Sequence, residues 1–433
     1  MPIIRRLPTR ALSIIAVLLI LAVSSGAAPP KTPVISFSKD ERTVSVDYAR
    51  GKWTFYRPVV SPWDFKPAGK ILWVATTGDD AGDGSADRPL RSIGRAMEIS
   101  AAGDLIYVRP GTYVENITIK KSGEEKKPIV LSCAPGGLGK VKITPPAEYV
   151  AKNPSGAVVQ VHTARHVWIN GLVVEGPKGR PEAPASEAFG ANGITFSGGG
   201  GPGCRVTNCV VYGNVHCGIK EMAHGGRDIV LESNVIFDNG TRGLDHGIYC
   251  PTDGLVIRGN IIFDQPGCGI HSYSHPHGQR ISQNLCLGNK MGGILLSGSK
   301  NEVRQNVCAY NGLGIVYFRI LCTDNIVKNN IFAFNKTDCG FDDGGGKLGD
   351  PANNLDDFNC YFPGKPSDRI HPGKHEVLAD PLFIDPAHGD FRLQRGSPCA
   401  KKGESTDGVP RGDPPDLGAF EPEIRLMPGG RRS

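Results

Sequence analysis

Lys220, Tyr249 and His271 each stand one residue beyond a Gly-Ile pair, at Gly218-Ile219, Gly247-Ile248 and Gly269-Ile270. Alternate side chains of a strand face opposite ways, so where each Ile enters a core the next residue faces out, as does the third after the Ile. That parity places Lys220, Tyr249 and His271 in one outward column, with Tyr273 on the same face as His271. A cation, a phenol and an imidazole are the parts needed to take a proton from a carbon beside a carboxylate. They supply a base, a charge that tolerates the developing anion, and an acid. In this reading Lys220 or Arg242 neutralises, His271 accepts, and Tyr249 or Tyr273 donates. The turn Arg242-Gly243-Leu244-Asp245-His246 precedes the Tyr249 strand, where Asp245 and His246 can orient each other as partner and base. The plain alternative is that Tyr and His decorate a solvated sheet and Asp245 caps a turn.

The same face offers other chemistry. The run His271-Ser272-Tyr273-Ser274-His275-Pro276-His277, with His246 and His224, lies in a region holding six of the eleven histidines, a set that could bind zinc or another transition metal although its spacing matches no common site. His275 and Arg242 are assigned to substrate binding, together with Asp342 and Asp343. The column continues through Leu295 and Val316 to Asp342, about 14 Å from His271 at one strand spacing per coil, a distance suited to a subsite. Glu221, Asp245, Asp253, Asp342 and Asp343 would be the acids of a glycoside hydrolase, although parity turns Glu221 inward. Asp79, Asp80 and Asp83 are candidate calcium ligands or turn formers.

These residues need a scaffold that repeats. Asn208, Asn234, Asn260, Asn284, Asn306 and Asn330 recur every 22 to 26 residues, each followed about ten residues later by Gly218-Ile219, Gly247-Ile248, Gly269-Ile270, Gly293-Ile294, Gly314-Ile315 or Gly340-Phe341. Short β-branched runs between Gly, Asn and Asp turns are strand chemistry, and no helical pattern lasts ten residues between 160 and 345. The expected fold is all-β, a parallel β-helix with the six asparagines in one structural ladder. Ahead of it, Leu72-Trp73-Val74 enters a turn at residues 78–84, and the amphipathic stretch Ile93 to Ala101 reads as a helix capping the open end of the solenoid.

The stretch GDDAGDGSADRPLRSIGRAMEISAAGDLIYVRPGTYVENITI and the ending Asp380-Pro381-Leu382-Phe383, Gly389-Asp390-Phe391, Ser397-Pro398 and Asp416-Leu417-Gly418-Ala419-Phe420-Glu421 resemble the secreted right-handed parallel β-helix superfamily of pectate lyases, alginate lyases and mannuronan C5-epimerases. The resemblance spans residues 70 to 421. It implies a right-handed helix and a polysaccharide lyase or C5-epimerase acting on an acidic, uronate-containing polysaccharide, and it makes calcium a candidate cofactor. Lyases of that superfamily commonly use Lys or Arg on a β-helix face, a role Lys220 matches. The epimerases carry Asp-Pro-His on an equivalent strand, where this chain has His271-Ser272-Tyr273. A non-catalytic glycan-binding or surface solenoid is the alternative outside enzymology.

Composition sets the remaining bounds. Arg5, Arg6 and Arg10, the apolar run Ala11 to Val23 and the small residues 24–28 read as a signal peptide over 1–28, so the protein is expected to be secreted or periplasmic, with no membrane span after its removal. Losing those three arginines lowers the net charge from +6 to +3, which argues against nucleic acid as partner. Residues 29–69 form an N-terminal extension of unreadable role, 70–395 the β-helix, and 396–433 a C-terminal cap and tail. Of the twelve cysteines several fall in register, which favours buried, stacked thiols over disulfides. The Pro/Ala-rich stretch from Gly176 to Gly190 reads as an insertion that either walls a groove beside Lys220 or is a passive loop.

Overall fold

The computed structural model describes residues 32–57, 66–147, 156–178, 192–222, 227–273, 275–318, 322–342, 352–405 and 414–419. The expected signal peptide, His224, Asp343 and most of the stretch from Gly176 to Gly190 lie outside these residues.

The chain winds as a right-handed parallel β-helix. Among the described residues its parallel strands form three sheets of nine, eleven and ten strands. One coil runs Ile219–Glu221, Val230–Glu232 and Val235–Phe237 before Ile248–Cys250 begins the next, each segment pairing with its counterpart one coil on. The parallel strands start at Ile71–Val74 and end at Cys360–Phe362. Inside, Ile194, Ile219, Ile248, Ile270, Ile294 and Ile315 stack in register and are buried, with Cys339 next. A β-branched side chain fits this pleated interior.

Each corner uses one device. A residue with positive φ reverses the chain, and the next residue projects an amide inward. At the first corner Ser233, Gly259, Gln283, Gln305 and Asn329 have φ between 54° and 65°, and Asn234, Asn260, Asn284, Asn306, Asn330 and Asn359 follow as a buried ladder. In that ladder each side-chain oxygen accepts the backbone N–H of the residue one coil back, as with Asn284 and Asn260 at 3.0 Å, and each amide donates to the next oxygen. Two further ladders repeat the arrangement, one through Asn214, Asn239, Gln265, Asn289, Asn311 and Asn335 and one through Gln279, Asn301, Asn325 and Asn354. The backbone N–H of each ladder residue with a neighbour one coil on thus finds a side-chain acceptor.

Two alignments read from the sequence are corrected here. Asn208 is not in the first ladder: Val210 pairs with Val235, so Cys209 occupies the register of Asn234, and Asn208 takes the positive-φ position at 53°. Its side chain donates to Asn170 at 2.8 Å and accepts from Arg57. Gly340-Phe341 is likewise out of phase, because Ile315 pairs with Cys339 and Tyr317 with Phe341. Asp338 fills the position of Gly314, and its carboxylate accepts the Asn335 amide at 3.0 Å, closing the second ladder.

The helix Ile93–Ile99 caps the first coil, its N-terminus closed by the Ser92 side chain and its Ile93, Ala96 and Met97 buried against the core. The N-terminal extension is a three-stranded antiparallel sheet, Val34–Phe37, Thr43–Tyr48 and Gly51–Tyr56. It covers the outer face of the ten-stranded sheet, where Tyr212, Phe237 and Phe263 stack at 5.0 Å intervals. Tyr48, Trp53 and Phe55 bury themselves on that stack, joined by Phe383 and Phe391 of the C-terminal hairpin Phe383–Asp385 and Asp390–Leu393. The twelve cysteines are all free and buried. No helix among the described residues is long and apolar enough to cross a membrane.

Candidate active site

The nine-stranded sheet carries the candidate residues on its outer face. Lys220 pairs with Tyr249, Tyr249 with His271, His271 with Leu295 and Leu295 with Val316, the order that strand parity predicts. The column then reaches Gly340 and not Asp342, which registers with Phe318. Asp342 therefore belongs to the neighbouring column of the same face. Glu221 turns inward, buried, and accepts a hydrogen bond from the Thr252 hydroxyl.

The aromatic members touch. Lys220 Nζ lies 5.4 Å from the Tyr249 ring centre, a cation–π arrangement. The ring of Tyr249 meets His271 edge-on at 5.4 Å and Tyr273 at 5.7 Å, and Tyr273 meets His271 edge-on at 5.2 Å. Beyond them Cys268, Leu295 and Val316 form a small apolar cluster with Met291, Leu313 and Phe318. One end of the column is polar and partly open, and the other is dry. Burial between these rings raises the Tyr249 phenol above its ordinary value, so it stays protonated across the physiological range.

Behind the column His246 Nε2 lies 2.7 Å from His271 Nδ1, and the backbone N–H of Cys268 donates to His246 Nδ1 at 2.9 Å. His246 is 1% and His271 8% exposed. Burial, then the neighbouring His271, hold His246 well below the usual imidazole range, and burial pushes His271 down to about 4. Both rings are neutral at pH 7. Among the described residues His271 Nε2 is buried with no hydrogen-bond partner.

Asp245 does not orient His246, as its sequence position suggested. Its carboxylate instead accepts from His216 Nδ1, one coil back, and from the backbone N–H groups of Thr241 at 2.9 Å and Arg242 at 2.8 Å. Burial raises its pKa, but these hydrogen bonds outweigh burial and leave it below the ordinary carboxylate value. The Arg242 guanidinium lies 3.2 Å from both ring nitrogens of His216. Asp245 and Arg242 thus share one cluster with His216, a residue the sequence reading did not single out. The signal was present, since His216 precedes Gly218 by two residues, as Asp245 precedes Gly247.

The remaining candidates fall elsewhere. His275 sits in the turn after Tyr273 with φ 69°. His277 is tied to Ser299 Oγ at 2.6 Å, and its N–H donates to Asp253. Asp79, Asp80 and Asp83 accept backbone N–H groups of Ala81, Arg91, Ser92 and Ser85, the turn role open to them in the sequence.

Comparison with known proteins follows the geometry. A family model described as "Periplasmic copper-binding protein (NosD)" matches residues 155–348. The uncharacterized protein YwoF of Bacillus subtilis (strain 168) is 25% identical over 215 residues, 47% of this chain and 43% of that protein. Pectate lyase PEL9 of Emericella nidulans is 42% identical over 67 residues, 15% of this chain and 16% of that protein. The chain therefore spans less than half the length of either curated relative. The crystal structure of pectate lyase Pel9A superposes with a TM-score of 0.55 at 16% identity, over 82% of this chain and 96% of that one.

Copper is tested against the site itself. A metal between His246 and His271 would need about 2 Å to each nitrogen, yet the facing nitrogens are 2.7 Å apart and the other His246 nitrogen is engaged by Cys268. Among the described residues no group of three or more His, Cys, Asp or Glu is arranged to hold a metal ion, so they do not fit a copper centre. What the likeness to Pel9A establishes is the fold: this chain is a pectate lyase-like right-handed parallel β-helix.

Proposed function

We propose that the protein is an exported carbohydrate-active enzyme, a polysaccharide lyase or C5-epimerase, that acts on an acidic, uronate-containing glycan along the Lys220, Tyr249 and His271 column. The observation that carries this reading is the meeting of a lysine ammonium, two phenols and a neutral imidazole on one outward sheet face. Removing the proton at C5 of a uronate places negative charge on the adjacent carboxylate, and the Lys220 ammonium beside the Tyr249 ring is the cation in this column that would offset that charge. A phenol that stays protonated, as Tyr249 does, suits protonation of the leaving oxygen or of the opposite face of the carbanion.

Hydrolysis by paired carboxylates gains less support. Glu221 faces the core, Asp245 is held by His216 and two backbone N–H groups, and Asp253 caps a turn. Incubation with a panel of acidic and neutral glycans, with and without calcium, tests the proposal. An ultraviolet-absorbing unsaturated uronide or inversion at C5 is expected. New reducing ends without either would mean hydrolysis, and retention on a glycan without turnover would mean a binding module.

A further inference from the structure

The sequence reading gave His271 the task of accepting a proton, and the hydrogen bonds behind it assign the opposite sense. A backbone N–H can only donate, so His246 Nδ1, which takes the Cys268 N–H at 2.9 Å, must carry a lone pair. Neutral His246 then bears its proton on Nε2. That proton points at His271 Nδ1, 2.7 Å away, which must in turn be the acceptor. His271 is left with its proton on Nε2. A second proton on either ring would set two N–H groups against each other, or a ring N–H against the Cys268 N–H.

We infer that His246 is a positioning residue that locks His271 as its Nε2–H tautomer, so that His271 meets the ligand as a hydrogen-bond donor to an anionic oxygen and not as a base. The destination of this donor rests on the proposed action on a uronate; the tautomer does not. Nε2 is buried without a partner among the described residues, on a side chain 8% exposed, and an unmade hydrogen bond there costs stability unless a ligand completes it. Around the imidazole stand Tyr249, Tyr273 and Phe318, whose rings meet it edge-on. Lys220 lies one coil further back against Tyr249, and the Asp245 carboxylate is turned to His216. With His271 as donor, its task joins that of Lys220 in holding the uronate anion, and it does not take the C5 proton.

Nitrogen-15 NMR of the full chain at pH 7 reads the tautomer without any substrate, with the His271 signals identified by their loss in His271→Gln. The expected pattern is a protonated Nε2 and a bare Nδ1 on both His246 and His271. His246→Phe should release His271 into a mixture of tautomers. A proton on His271 Nδ1 in the wild type would overturn the inference, as would an unchanged tautomer in folded His246→Phe. Oligogalacturonate is then added as a probe, and the Nε2–H signal should shift as the oxygen engages it. An Nε2–H tautomer that ignores this and every other uronate oligomer would reject the donor role together with the uronate reading, while the tautomer assignment stood.

Discussion

Lys220 Nζ stands 5.4 Å from the centre of the Tyr249 ring, joined across two coils by direct strand pairing. The ring face holds the cation and the hydroxyl is separate from that contact, so the two roles can be taken apart by mutation. Tyr249→Phe keeps the ring under Lys220 and removes only the phenol. It should lower turnover by at least about tenfold, because general acid–base groups contribute roughly 10²- to 10⁴-fold, and should leave the melting curve in place. Met222, 48% exposed on the same outer face, supplies the control, and Met222→Ala should retain activity. Leu295 cannot serve, because it is buried in the apolar cluster beside His271.

Lys220→Ala should weaken turnover of uronate glycans far more than binding of neutral ones. Its charge matters only where a carboxylate develops further negative charge. Turnover of a uronate glycan and binding of its carboxyl-reduced counterpart, measured side by side, check this.

Stability should fall on acidification. His271 has a folded pKa of about 4 against 6.5 for the free side chain. Between these values the unfolded chain binds more protons than the native one, so the contribution is full above pH 6.5 and is lost as pH falls toward 4. His246, lowered in the same direction, adds to the effect. Denaturant melts at pH 7 and pH 5 should show wild type losing more stability than His271→Gln.

Asn284→Ala should destabilise the coil stack strongly. Asn284 accepts the Asn260 N–H and amide at 3.0 and 2.9 Å, and donates to Ile257 O and Asn306 at 2.9 and 3.0 Å. Each buried group orphaned costs about 1–3 kcal/mol, so a loss of about 3 kcal/mol or more is expected by urea titration. Phe55→Ala, which empties the contact between the N-terminal sheet and the Phe263 ring at 5.2 Å, should cost about 3–5 kcal/mol.

Much of this architecture was legible because a solenoid repeats its constraints. The spacing from Asn234 to Asn330 and the Gly-Ile pairs located the strands, and parity alone ordered Lys220, Tyr249, His271 and Leu295 correctly. The failures came where one coil substitutes for the repeat. Cys209 stands in the ladder place beside an Asn208 that looked like a member, and Asp338 replaces a glycine, displacing Asp342 into the next column. The N-terminal sheet was unreadable because its partners, Tyr212, Phe237 and Phe263, are outward residues more than 150 positions away, and nothing local encodes that contact. The proton direction at His271 depends on a backbone N–H from Cys268, which no residue type announces.

The most direct measurement is product formation from uronate glycans by wild type, Met222→Ala and Tyr249→Phe, followed by ultraviolet absorbance and by proton NMR at C5. The account predicts an unsaturated uronide or C5 inversion from the first two, and at least about a tenfold lower rate from a fully folded Tyr249→Phe. No product from any uronate glycan, or full activity in Tyr249→Phe, would contradict it.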